Sequence, residues 1–345
     1  MKLAQNGSVS GVSLKNSTTA PGRAGARRGT LRFVAGAAVF LALVMAAVLG
    51  LESQYVFFAG YVVLQFVVLA TGWNILGGYA GYVNFGAAGY FALGAYTTVA
   101  LYQAVPLPLP VLILAGAVMG GLLGIATGAM SLRLKGVYFS IATLAIVIIL
   151  ETIVMNTEYL GSSRGMSLAA PPPPALFDNY HQWLFFVMAV MVVIAIAIVR
   201  YIENSWIGRG LRAIRDDEMA AECSGVATLK LKLFAAGMSG AVMSAAGTPF
   251  ALYLAFIEPN SAFSLNYALS AIAMPIIGGV SHWIGPVIGA ILLGSAQQLV
   301  AVSLSGHWNV LILGAVLMFF VIVAPEGILG LATKGYRRWK NRSSK

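Results

Sequence analysis

The feature that most constrains this chain is a succession of apolar runs, several of them longer than the roughly 18 residues that cross a bilayer as a helix. They cover residues 31–51, 55–76, 80–104, 107–130, 137–156 and 182–201, and, after one long polar stretch, 233–254, 267–280, 285–304 and 309–324. Inside a bilayer each backbone N–H and C=O must be paired within the protein, so such runs are expected to be helices. The expected fold class is therefore all-α and polytopic, with about ten transmembrane helices and the lipid bilayer as solvent. Only 9% of residues are charged, against about 25% in an average soluble chain, which excludes a soluble globule.

The net charge of +10 does not point to nucleic acid, because the Lys and Arg residues sit in short segments between runs. Six lie up to Arg32, two in 131–136, six from Arg200 to Lys232 and six from Lys334 onward, leaving only Arg164. These segments alternate correctly if both termini face the cytoplasm, as the positive-inside rule requires. Residues 1–30 are expected to form a disordered basic cytoplasmic tail, 31–333 a transmembrane domain with a cytoplasmic loop at 202–232, and 334–345 a second basic tail. The pair Arg27-Arg28 before an apolar run resembles an export signal, but the run that follows is longer than a signal-peptide core, so it is expected to be an uncleaved first helix. The single Cys223 cannot form an internal disulfide. The longest outer loop, 157–181, contains Pro171 to Pro174, which favour an extended polyproline segment.

Four features carry mechanism. Gly116, Gly120, Gly124 and Gly128 recur every four residues, placing a bare stripe on one helix face, where a neighbour can approach closely. The stretch from Gly77 to Tyr96 holds six glycines in twenty residues, a density that disfavours a plain helix. It is the candidate translocation element, with Asn84, Gly86 and Tyr96 as pathway residues and Glu151, an acid within an apolar run, as a fourth. Met274-Pro275 is expected to break the eighth run, ahead of a cytoplasmic turn carrying His282 and Trp283.

The fourth feature is the polar stretch 206–232. Asp216 or Asp217 can cap a short helix, Asp217 and Glu218 put negative charge at its positive dipole end, and Gly225 is a natural stop. A two-turn helix is marginal in water, so a partner surface is expected to hold it. The sequence has no G-x-x-x-x-G-K-[ST] loop, metal-ligand spacing or serine-nucleophile elbow, so no cofactor or metal is expected and any ATP hydrolysis belongs to another chain. A self-contained secondary transporter or channel is the competing class. It calls for intramembrane charges or paired broken helices, whereas only Glu151 and one glycine-rich break are visible.

Four stretches together give a resemblance: GYVNFGAAGYFALGAYT at 81–97, LRLKGVYFSIATLA at 132–145, GRGLRAIRDDEMAAECSGV at 208–226 and IIGGVSHWIGPVIGA at 276–290. The chain resembles the permease subunits of branched-chain amino-acid ABC importers of the LivM type over about residues 69–331. The resemblance implies a type II-like importer permease fold in a bacterial cytoplasmic (inner) membrane. Its implied partners are a second permease subunit, as a heterodimer, two cytoplasmic ATPase subunits and an extracytoplasmic substrate-binding protein. It also implies that the short helix is the EAA coupling segment seated in the ATPase, formed by Asp216, Asp217, Glu218, Met219, Ala220, Ala221 and Gly225. Ala220, Ala221 and Gly225 match the motif's A-A and G, and Met219 stands at the usual Glu position. The chain departs from the resemblance at Ala87, Ser281 and Glu326, so a leucine pocket does not carry over, and urea or short amides are alternative substrates.

Overall fold

The computed structural model describes residues 23–50, 54–131, 133–134, 136–169, 171–303, 314–315, 318 and 327–330. It divides into two units, residues 1–44 and 45–345. In the first unit the described residues are helical, the start of α1 (Arg23–Gly50). The helix reaches back through 23–30, which the sequence assigns to the tail, because Ala and Arg are good helix formers. The tenth apolar run lies almost wholly outside the described residues, as do residues 1–22 and the C-terminal basic tail.

In the second unit the chain runs α2 (Gln54–Leu76), α3 (Ala87–Ala104), α4 (Leu109–Ser131), α5 (Val137–Met155), β1 (Met166–Ser167), α6 (Tyr180–Asn204), α7 (Trp206–Asp216), α8 (Glu218–Cys223), α9 (Thr228–Gly247), α10 (Phe250–Leu254), β2 (Phe256–Ile257), α11 (Pro259–Ala262), α12 (Leu265–Gly278) and α13 (Ile284–Ser303). Among the described residues, six helical stretches are long and apolar enough to cross a bilayer: Gly29–Gly50, Gln54–Leu76, Leu109–Ser131, Val137–Met155, Tyr180–Asn204 and Pro259–Gly278.

Helix α2 is the hub, packing against α6, α9, α12 and α13. Helix α9 is the second centre, lying against α4, α2 and α3. Its sequence, TLKLKLFAAGMSGAVMSAAG, is rich in Gly, Ala and Ser, which lets several helix backbones come close at once. A methyl group added at Gly120 would fall on Ser244 Cβ and the Gly240 carbonyl, one at Gly124 on the Ala236 carbonyl, and one at Gly94 of α3 on the Ser244 carbonyl. Ser244 Oγ also donates to the Gly116 carbonyl at 2.8 Å, and Thr98 Oγ1 to the Thr248 carbonyl at 2.9 Å. Gly116, Gly120, Gly124 and Gly128 are all buried on α4.

Several boundaries differ from the sequence reading. The run at 80–104 is not one helix: residues 77–86 are irregular and α3 starts only at Ala87. The run at 233–254 begins earlier, at Thr228, and breaks after Gly247 into the separate α10. Pro275 does not break α12, which continues through it to Gly278, although the Ala271 carbonyl loses the N–H that another residue there would donate. The polar loop is shorter than 202–232, because α6 runs on to Asn204.

Strands β1 and β2 pair antiparallel, Met166 opposite Ile257 and Ser167 opposite Phe256. The pairing places the segments after α5 and after α10 at one end of the bundle, and the connector between α6 and α9 lies at the other end of those helices.

Adjacent glycines on α4 should respond with opposite sign. Gly120→Ala meets the α9 backbone, whereas a methyl at Gly121 has ordinary contact, 3.5 Å from Ala241 Cβ. Melting of the detergent-solubilised protein should show Gly120→Ala destabilised by about 1–3 kcal/mol and Gly121→Ala neutral or stabilised by up to about 1 kcal/mol.

Candidate functional site

The connector between α6 and α9 builds two helices where the sequence points to one. Helix α7 buries Gly208, Leu211 and Ile214 along one face and exposes Trp206 and Arg209. This is the amphipathic spacing of a surface helix, the signal by which it is legible beneath its four charged residues. Helix α8 starts at Asp217, the N-cap, whose Oδ1 accepts the Ala220 N–H at 3.1 Å; Asp216 instead ends α7. It stops at Gly225, whose φ of +83° suits glycine. The Gly225 and Val226 N–H groups return to the Glu222 and Ala221 carbonyls at 2.9 and 3.0 Å, closing a Schellman motif. Only Ala221 of α8 is buried; Met219, Ala220 and Cys223 face outward.

Three contacts tie this connector and the end of α6 that leads into it to the irregular segment 77–86. At one end Tyr79 Oη donates to Glu203 Oε2 at 2.9 Å. Tyr79 is buried, so this bond to the Glu203 carboxylate supplies its hydroxyl with a partner away from water. In the middle Arg215 Nη1 donates to the Gly78 carbonyl at 2.7 Å, and its Cγ would lie 3.0 Å from a Cβ at Gly81. At the far end Glu218 receives Tyr82 Oη on Oε2 at 2.9 Å and Lys232 Nζ on Oε1 at 2.7 Å. The Lys232 side chain is 5% exposed and its Nζ lies 5.3 Å from the Tyr82 ring centroid. Glu203, Arg215, Tyr79, Tyr82 and Lys232 are absent from the residues that the sequence singles out.

The four pathway candidates are not brought together in either of two sizeable cavities. Asn84 is buried, and its Oδ1 accepts the Gly86 N–H at 2.7 Å, a local turn bond. Gly86 stands immediately before α3. The Tyr96 ring stacks on Phe263 with centroids 6.0 Å apart, and its hydroxyl has no hydrogen-bond partner among the described residues. Glu151 is half-buried near the end of α5.

The fold and this site define a multi-pass helical membrane protein whose extramembranous connector is bonded to a break in its own bundle. The chain belongs to the family described as the permease component of branched-chain amino acid transport systems, matched over residues 55–321. It is 28% identical over 311 residues to the Escherichia coli high-affinity branched-chain amino acid transport system permease protein LivM, covering 81% of this chain and 71% of that protein. It is 26% identical to the probable branched-chain amino acid transport permease protein LivH of Methanocaldococcus jannaschii, with 74% and 85% coverage. The ribose import permease protein RbsC of Haemophilus influenzae is also 26% identical, with 65% and 69% coverage. No solved structure matches.

The Glu218–Lys232 pair gives a test of how firmly α8 is held. Glu218→Ala removes the carboxylate partner of Lys232 and leaves its buried ammonium on the Tyr82 hydroxyl at 3.3 Å; it should lower stability by about 1–3 kcal/mol, while Glu218→Ala with Lys232→Met should regain most of it. Melting of the solubilised variants measures both.

Proposed function

We propose that this chain is a non-enzymatic permease subunit of an ATP-driven importer, and that α8 is the element that docks on a separate ATPase. The observation that carries the reading is α8 itself. It is too short to be stable alone, it is capped at both ends and pinned from beneath, and it presents Met219, which is 64% exposed, beside Ala220 and Cys223. An apolar tip of this kind on a rigidly held helix suits insertion into a groove on another protein. In this reading Asp216, Asp217, Glu218, Met219, Ala220, Ala221 and Gly225 form the coupling segment. Segment 77–86, with Asn84 and Gly86, is the joint in the bundle that answers it, and Tyr96 and Glu151 lie further along the pathway.

The same reading has ten spans in a bacterial inner membrane, with both termini cytoplasmic. Its assembly contains a second permease subunit, two ATPases and an extracytoplasmic binding protein. The alternation of basic segments supports the orientation, and the relatives, named as branched-chain amino acid permeases, support an aliphatic amino acid as the solute.

Cys223, exposed on α8, is a built-in reporter. In inverted membrane vesicles a maleimide should label it readily, and addition of the ATPases should slow labelling by at least about tenfold, since interface cores exclude water. Met219→Arg should abolish both that protection and uptake while leaving membrane insertion unchanged. Uptake that survives in this variant refutes the docking role. Calorimetric titration of the binding protein with leucine and with urea decides the solute: heat with leucine alone is expected.

A further inference from the structure

Glu203 occupies the last turn of α6, where the bundle gives way to α7. Its side chain is only 10% exposed. Oε2 receives two donors, the Tyr79 hydroxyl at 2.9 Å and the Trp283 backbone N–H at 2.7 Å. Oε1 lies 3.8 Å from His282 Nε2. The Glu203 backbone carbonyl accepts Arg212 Nη2 of α7 at 2.8 Å. One residue thereby joins α7, the break after α2 and the turn between α12 and α13.

Those last two segments both line a cavity of about 750 Å³, the first through Gly77 and Gly81 and the second through Gly279 and His282, together with Arg215, Leu329 and Gly330. The first is tied to α6 by Glu203–Tyr79 and to α7 by Arg215–Gly78, the second to α6 by Glu203–Trp283. Hydrogen bonds to a carboxylate are stronger than neutral ones. The bond to Trp283 is made to the main chain, so displacement of the carboxylate acts on the turn itself rather than on a side chain that can rotate away. We propose that Glu203 is the positioning residue through which movement of α7 and α8 reaches the α12–α13 turn, setting the width of this cavity at each cycle. The assignment rests on the coupling reading above and extends it to a residue outside the coupling segment.

The test uses the whole transporter in proteoliposomes, with both ATPases and the binding protein, reading ATP hydrolysed and radiolabelled leucine taken up. Glu203→Ala should keep the ATPases bound in wild-type amounts and hydrolysis within about twofold, while uptake falls by about tenfold, so that more ATP is spent per solute. Glu203→Gln, which retains one acceptor oxygen, should recover part of the uptake. Tyr79→Phe removes a single bond and should raise the ATP-to-solute ratio by about threefold; it decides the matter if Glu203→Ala fails to insert. A ratio unchanged from wild type, or uptake and hydrolysis falling in parallel, overturns the assignment. Loss of ATPase binding on Glu203→Ala also overturns it, since Glu203 would then serve docking rather than relay. Failure of the coupling reading has a different signature, an unprotected Cys223 in the wild-type complex.

Discussion

A backbone that leaves the helical path inside an apolar bundle must find partners for every exposed N–H and C=O. Segment 77–86 is where this chain meets that requirement, and much of the surrounding structure follows from how it does so. The Gly78 carbonyl is taken by Arg215 of α7, the Val83 carbonyl by Ser140 Oγ of α5 at 2.9 Å and the Asn84 carbonyl by Trp73 Nε1 of α2 at 2.8 Å. The Phe85 N–H reaches Thr143 Oγ1 at 3.1 Å and the Gly86 N–H reaches Asn84 Oδ1. Because those partners come from three helices, the break cannot move without engaging α2, α5 and α7. The same bonds that make it tolerable make it mechanically connected.

The glycine and serine seam of α9 answers a different need. Lipid tails supply no hydrophobic drive for one helix to choose another, so close packing and interhelical bonds decide. Methyl-free positions at Gly94, Gly120 and Gly124 let α3 and α4 approach α9 to backbone contact. The close contacts run along α9 from Ala236, against Gly124, to Thr248 at its end, against Gly116.

Long-period features were legible in the chain. The apolar runs marked most helices, and Asp217 and Gly225 marked both ends of α8, because capping chemistry is encoded within a few residues. Less local features were hidden. Glu203 reads as one more polar residue at a helix end, since its partners Tyr79 and Trp283 lie 124 and 80 positions away. Helix α7 was masked by its arginines, although Gly208, Leu211 and Ile214 repeat at helical spacing. Pro275 misled in the opposite direction: the helix continues through it to Gly278 at the loss of the bond its N–H would have made. Asn84 was visible as a buried polar group, but a sequence does not reveal that its oxygen accepts the Gly86 N–H two residues away.

The two-residue strands β1 and β2 carry a consequence out of proportion to their size. They stitch the segment after α5 to the segment after α10 at the end of the bundle remote from the connector. The two ends of the bundle are thus held by different kinds of bond: main-chain pairs join the segments at one end, whereas at the other the connector is joined to segment 77–86 through the side chains of Arg215, Glu218 and Tyr82.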